Sequence, residues 1–543
     1  MNMLNVDTKP IDGQKPGTSG LRKRTAEFSV PGYLENYVQS TFDALGGVLG
    51  NTLVVGGDGR FFNAEAIGTI LRMAAANGVA RVIVGQGGIL STPAASNMIR
   101  QRKADGGLIL SASHNPGGKN GDFGLKYNIS NGGPAPEAIT AKIHEMTTKL
   151  TRYLIAEEDA PSIDTLGETR FGDMVVEIVD PVTDYATLME DLFDFDAIRD
   201  LFASGFTMKF DAMHAVTGPY ATEILERRLG APAGTVMNGV PSVDFGGGHP
   251  DPNPVWAKPL VDLVMSDAGP DFAAASDGDG DRNMILGRGL YVTPSDSLAV
   301  LAANAHLAPG YARGIAGVAR SMPTSRAADR VAAKLGVNAF ETPTGWKFFG
   351  TLLDAGHATI CGEESAGTGS DHVREKDGLW AVLLWLNILA KRRESVAEVM
   401  AQHWAEYGRD YYSRHDYEEV DKAAAEAMID ALRGRLDGLA GTAAGPLSVE
   451  RADDFAYTDP VDGSTSAHQG IRLFFEGGAR AVMRLSGTGT VGATLRVYLE
   501  RFEAPDGDHS LDAQEALAPV IAAVEAVAGI KDATGRDAPD VRT

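Results

Sequence analysis

One phrase recurs three times along this chain: a short β-branched run, a glycine-bearing turn, an Ala/Leu-rich stretch and a second β-branched run. It opens in "NTLVVGGDGRFFNAEAIGTILRMAAANGVARVIVGQGG". It returns in "FTMKFDAMHAVTGPYATEILERRLGAPAGTVM" and again in "ARGIAGVARSMPTSRAADRVAAKLGVNAFETPTGW". Strands separated by helix-length segments pair through crossovers, so this order calls for α/β units whose sheets are covered by helices. The 543 residues are too many for one core. After the third unit the pattern changes. "EYGRDYYSRHDYEEV" reads as a linker and first strand, "AAAEAMIDALRGRL" as a helix, and "IRLFFEG", "RAVMRLS" and "ATLRVYLERF" as alternating strands. Strands and helices are segregated there, which predicts a smaller α+β domain. The expected divisions are 1–187, 188–291, 292–404 and 405–543, and "GRDAPDVRT" at the end reads as a loose tail.

A net charge of −23 excludes nucleic acid or an anionic membrane as a partner held by a global field. Any phosphate site must gather its cations locally. The single cysteine, Cys361, lies in apolar "ATICG" and reads as a buried structural thiol in a reducing compartment. The start has no apolar signal core, and "LWAVLLWLNILA" (379–390) is too short for a bilayer and reads as a core helix. The expectation is a cytoplasmic protein.

In "SDGDGDRNM", Asp277, Asp279 and Asp281 alternate with glycines, and an extended segment would point all three carboxylates one way. Two carboxylates about 4 Å apart repel by roughly 4 kcal/mol at an effective dielectric of 20. A hard cation, Mg²⁺ or Ca²⁺, relieves this. A calcium EF-hand is dismissed because its sixth position would be Arg282 and its twelfth Arg288. An incomplete oxygen set calls for a phosphate to complete the shell. "RLSGTGTVGAT" satisfies G-x-G-x-x-G but precedes a strand and not a helix, so it is no dinucleotide fingerprint. With Arg484, Ser486, Thr488 and Arg496 it suits a phosphate monoester.

"GEESAG" sets Glu363, Glu364 and Ser365 on a loop fit for sugar hydroxyls, or alternatively at a helix N-terminus. "VREKDGLW" adds Arg374 and Lys376, and Thr344 of "TPTGWKF" either meets a sugar or caps a helix. "KPGTSGLRKR" concentrates Arg22, Lys23 and Arg24, and matters only if it folds against the other loops. Ser113 in "SASHNPGG" lacks the G-x-S-x-G elbow of a hydrolase, and His114 should point away from it on an extended chain. A serine beside a metal and a phosphate nest reads as a phosphoryl carrier.

Together and in this order, "KPGTSGLRKR", "SASHNPGG", "GLKYN", "DGDGDRNM", "TPTGWKF", "GEESAG", "REKDGLW" and "RLSGTGT" resemble the α-D-phosphohexomutase superfamily, in its long, eukaryote-like type. The resemblance implies four domains around a central cleft. Three are related α/β domains with mixed sheets, and the fourth is α+β of the TATA-binding-protein-like kind. It implies Ser113 as the phosphoserine, one Mg²⁺ held by Ser113, Asp277, Asp279 and Asp281, and His114 and Lys126 as the alternatives for general acid/base. Glu363, Ser365 and Thr344 would hold the sugar, with Arg22, Arg282 and Lys376 lining the cleft. Arg484, Ser486, Thr488 and Arg496 would clamp the phosphate not being transferred. The implied reaction interconverts glucose 1-phosphate and glucose 6-phosphate through glucose 1,6-bisphosphate, by a monomer or weak dimer. The alternatives are sister enzymes for mannose or glucosamine phosphate, and a non-catalytic sugar-phosphate binder. The chain departs from the family pattern at Ala366, where the glucose-type loop usually has Phe, and at "TVG" after the second glycine of the phosphate loop.

Overall fold

The computed structural model describes residues 1–17, 19–486 and 493–543. Its first sheet orders seven strands as Leu21–Arg24, Asp122–Ile129, Gly106–Leu110, Thr52–Gly57, Arg81–Ile89, Met174–Val179 and Gly167–Phe171. The middle pairings are parallel and the outer ones antiparallel. A second sheet runs Val236–Met237, Met208–Asp211, Phe272–Ser276, Asn283–Gly287, Leu290–Val292, and a third runs Asn338–Thr342, Gly317–Ser321, Ile360–Gly362, Thr368–Ser370. Both again pass from parallel pairs to an antiparallel hairpin. The recurring phrase is therefore three mixed-sheet domains.

Each domain repeats one event that places the site. A parallel strand runs out, the chain turns, and it returns antiparallel. Gly106–Leu110 returns as Asp122–Ile129, Phe272–Ser276 as Asn283–Gly287, and Ile360–Gly362 as Thr368–Ser370. The serine, aspartate and glutamate loops are these three turns. Loops at strand ends carry ligands because their polar groups are free of the ladder.

The fourth sheet is antiparallel throughout, and the helices Lys422–Arg433 and Ala513–Ala528 bury Leu432, Leu517 and Val524 against Leu473, Leu495 and Val497. This is the segregated α+β domain. The chain end is not a loose tail. Val541–Arg542 forms the edge strand beside Arg409–Val420, and Thr543 exchanges backbone hydrogen bonds with Arg414 at 2.9 and 3.0 Å. An unpaired sheet edge recruits such a segment, and nothing in the polar composition of 535–543 announces it.

One apolar core runs through the first three domains, from Val54 and Ile99 through Phe210 and Leu298 to Trp385 and Met400. Helix Gly378–Arg392 is its centre, apolar all round and buried with both Trp380 and Trp385 inaccessible. The Asp377 side chain caps it, accepting from the Trp380 N–H at 3.0 Å. No described helix is long and apolar enough to cross a membrane. Cys361 is buried as expected, and burial pushes its thiol far up. The fourth domain meets the third through ion pairs: Arg326 with Glu500 at 2.8 Å, Arg330 with Asp410 at 2.9 Å, and Arg480 with Glu341 at 3.2 Å.

Candidate active site

Strand Gly106–Leu110 delivers Ser111 and Ser113 into a turn where Ser113 adopts φ +52°. That left-handed conformation costs a non-glycine residue about 1–2 kcal/mol. It is held from both sides. The Ser113 N–H donates to Ser111 Oγ at 2.7 Å, and the Ser113 carbonyl accepts from Arg60 Nη2 at 2.8 Å. Arg60 is buried and bound through Nε to both oxygens of Asp58, at 3.0 and 2.9 Å. The turn also corrects a sequence expectation. Ser113 and His114 do not point apart, because the chain there is not extended, and His114 Nδ1 lies 3.4 Å from Ser113 Oγ. Burial, with Arg282 and Arg22 nearby, holds His114 well below the usual histidine range, so its imidazole is neutral.

The aspartate loop is likewise a turn and not an extended segment, with Gly280 at φ +82°. The three carboxylates still converge, with ligand oxygens within 4.8 Å of one another. Asp277 Oδ1 accepts the backbone N–H groups of Asp281 and Arg282 at 2.9 and 3.0 Å, and its Oδ2 accepts from Ser113 Oγ at 3.0 Å. Asp279 Oδ2 accepts from Thr92 and Ser111 hydroxyls, both at 2.9 Å. A side chain at Gly278 would put Cβ 2.3 Å from the Ser113 carbonyl, so only glycine lets the two turns touch.

Two oxygens are left over: Asp279 Oδ1 and Asp281 Oδ1 are buried without a hydrogen-bond partner. Buried carboxylate oxygens do not stay orphaned without cause, and an all-oxygen set of this kind fits a hard divalent cation. Burial, then the charges of Asp279 and Asp281, pushes Asp277 well above the carboxylate range. Burial also pushes Asp279 up, but Lys126, Lys376 and Arg22 outweigh it and hold Asp279 at about 2.

The expected cations surround this cluster. Leu21–Arg24 folds as a strand against Asp122–Ile129, so the basic N-terminal segment is structured, and Arg22 is drawn into the interior. The Nε atoms of Arg22 and Arg282 are buried without partners. Lys376 Nζ lies 3.1 Å from Asp281 and Lys126 Nζ 2.9 Å from Glu375.

The glutamate loop is a hairpin turn, with Ala366 at φ +71°, and not a helix start. Glu363 Oε1 accepts the Gly345 N–H at 2.9 Å, which ties it to the Thr344 loop, while the Ala366 carbonyl accepts the Asn283 N–H at 3.0 Å beside the aspartate turn. Thr344 does not cap the following helix. Its Oγ1 accepts from Arg484 Nη1 at 2.8 Å, reaching the fourth domain. Ser365 lines a cavity of about 70 Å³ with Arg282, Tyr291, Glu364, Tyr412 and Arg414.

Arg484 and Arg496 are direct cross-strand partners, as are Ser486 and Thr494. Like charges directly opposite destabilise a sheet, so this pair suits an anion. Thr488, with Gly487, Gly489 and Gly492, lies outside the described residues. Sequence reasoning passed over Asp58, Arg60, Ser111, Thr92, Glu375 and Arg414. All of these but Thr92 stand inside quoted phrases, but only contacts across the fold reveal their partners.

Family models for phosphoglucomutase/phosphomannomutase domains I, II and III match residues 13–154, 183–289 and 294–407, and a model for the C-terminal domain of phosphoglucomutase-1 matches 409–540. The chain is 62% identical over 538 residues to a phosphoglucomutase of Rhizobium radiobacter, covering 99% of each. It is 54% identical to a chloroplastic phosphoglucomutase of Arabidopsis thaliana, covering 100% of this chain and 89% of that one. The crystal structure of the exocytosis-sensitive phosphoprotein parafusin from Paramecium, in its open form, superposes with a TM-score of 0.93 at 48% identity, covering 100% and 99% of the two chains. Four family models that match successive segments over nearly the whole chain make it a member of the phosphoglucomutase/phosphomannomutase family, the α-D-phosphohexomutases.

Proposed function

We infer that this chain is a phosphoglucomutase, an isomerase that interconverts α-D-glucose 1-phosphate and glucose 6-phosphate. The observation that carries the reading is Ser113 Oγ, buried and 3.0 Å from Asp277 in a carboxylate cluster that keeps two orphaned oxygens. Phosphorylated Ser113 gives its phosphoryl group to the free sugar hydroxyl, forming glucose 1,6-bisphosphate. The bisphosphate turns around, and its other phosphoryl group returns to the Ser113 hydroxyl. Asp277, Asp279 and Asp281 would hold one Mg²⁺, with an oxygen on Ser113 completing the set. When bound, the ion supplies positive charge against the transferring group.

Neutral His114 shuttles the proton between the attacking hydroxyl and the Ser113 oxygen, while Lys126, Arg22, Arg282 and Lys376 balance the charge of the phosphoryl group. Glu363, Ser365 and Thr344 hold sugar hydroxyls. Arg484, Ser486, Thr488 and Arg496 grip the second phosphate, which the opposed arginines support. Gly408, at φ +81° between helix Val396–Tyr407 and strand Arg409–Val420, is the hinge by which the fourth domain releases product. The divisions at 187/188, 291/292 and 404/405 go with this reading. So does a cytoplasmic setting, with hexose phosphates as the partners of an acidic chain.

The test is intact mass after incubation with glucose 1,6-bisphosphate. A gain of one phosphoryl group in the native chain and none in Ser113→Ala is expected; equal masses would refute the carrier role. Relative rates on glucose, mannose and glucosamine 1-phosphates check the sugar.

A further inference from the structure

The four residues before helix Gly378–Arg392 send their contacts to different parts of the molecule. The Arg374 N–H donates to Ser96 Oγ at 2.9 Å, Lys376 pairs with Asp281, and Asp377 accepts from the Tyr185 hydroxyl at 2.6 Å. Between them Glu375 crosses from the third domain to the first. Its Oε1 accepts from Lys126 Nζ and from Asn128 Nδ2, both at 2.9 Å, and Asn128 Nδ2 also reaches the Gly132 carbonyl at 2.9 Å. Both charged side chains are deeply buried, at 8% and 2% exposure.

A buried ammonium without a counter-charge is costly, and it sheds its proton instead of bearing the cost. Among the described residues Lys126 Nζ has one carboxylate in hydrogen-bond reach, and it is Glu375. The other charges acting on it are Asp279 and Asp281, on the aspartate turn. Those two carboxylates act from the candidate metal cluster, without a hydrogen bond to Lys126. Glu375 in turn faces Lys126 and, more remotely, Asp281.

We propose that Glu375 is a positioning residue for phosphoryl transfer, fixing Lys126 Nζ in place and keeping it an ammonium. This rests on the reading that Lys126 serves the transferring group. Burial pushes Lys126 down, and Glu375 with Asp279 and Asp281 outweighs it, in agreement with a permanent cation. Lysine held in this way balances charge and leaves proton transfer to His114. Glutamine at 375 keeps an oxygen for Asn128 and Lys126 but removes the charge, and aspartate keeps the charge one methylene short.

The experiment is steady-state kinetics of the full chain on glucose 1-phosphate with Mg²⁺ and glucose 1,6-bisphosphate, from pH 6 to 10. Glu375→Gln should lower kcat about 100-fold with KM within about threefold, and bring the alkaline loss of kcat down by about one pH unit or more. Glu375→Asp should recover about tenfold of that loss, and it serves as the test variant if the glutamine form fails to fold. In a Lys126→Met background, Glu375→Gln should cost less than about twofold more, because the interaction is already gone. An unmoved alkaline limb, or an undiminished second loss in the Lys126→Met background, overturns the proposal. Full activity in Lys126→Met overturns it together with the role given to Lys126, while the phosphoserine reading, tested by mass, would stand.

Discussion

Ser113 Oγ and Asp277 Oδ2 meet at 3.0 Å although 164 positions separate them. The proposed nucleophile comes from the first domain's turn and the proposed metal ligand from the second's. The proposed metal binding and phosphoryl transfer thus depend on the docking of two domains.

Asp277→Asn should leave the metal-free fold nearly as stable as the native one, because burial already favours a neutral side chain there. It should abolish the rise in melting temperature that Mg²⁺ gives the native chain. A ligand at a hundred times its Kd stabilises by about 2.7 kcal/mol, and chelation should remove that gain. Activity should fall by about 100-fold or more. Melting curves with Mg²⁺ and with chelator check the first point and turnover the second.

Arg60→Met leaves Asp58 buried and unpaired and should cost about 3–5 kcal/mol. Removing both charges, as Asp58→Leu with Arg60→Met, should recover most of that stability. Activity should not return, because the Ser113 carbonyl loses the donor that holds its left-handed turn. Denaturant unfolding beside kcat decides it. Recovery of both together would show that Arg60 is structural only.

Arg484→Met should raise KM more than it lowers kcat, since the arginine is assigned to the phosphate not being transferred. A lost charge-assisted hydrogen bond of about 1.5–3 kcal/mol corresponds to roughly 10- to 150-fold in affinity. The same variant unties Thr344 from the fourth domain, so scattering should show a less closed molecule at saturating sugar phosphate. Identical profiles for native and variant would count against the closure.

Deleting residues 540–543 removes the edge strand that brackets Arg414, whose Nη1 reaches Glu364 at 3.2 Å. KM for glucose 1-phosphate should rise by about tenfold with a stability loss of about 1–2 kcal/mol. An unchanged KM would return the segment to the loose tail its composition resembles.

Asp296 sits in the first turn of helix Pro294–Asn304, and burial raises it to about 7. A carboxyl whose folded pKa lies above its unfolded value binds protons more tightly when folded. Its stabilisation is complete below the unfolded value near 3.8 and is lost as pH rises through 7. The full span is worth up to about 4 kcal/mol. Asp296→Asn should therefore melt higher than the native chain at pH 8, and the gap should close toward pH 4. A gap independent of pH would refute the assignment.

Much of this protein can be read from its amino acids in order. Period-2 and helical patterns mark the three α/β units and the α+β end. The acidic triplet and the glycine loops declare their chemistry, because each needs only local residue types at short spacing. Other features depended on backbone conformation. Ser113 and His114 are adjacent in any conformation, yet only a left-handed turn brings their side chains together. The aspartates converge through a glycine turn and not through extension. Others depended on distance along the chain. Arg60 at the Ser113 carbonyl, Glu375 on Lys126 and the chain end beside Arg414 are meetings between segments whose own composition has no preference for one another. Local pattern follows from torsional and hydrophobic preferences carried by neighbouring residues. Partnership across domains follows from which buried charges and bare backbone edges remain to be satisfied once the cores have packed.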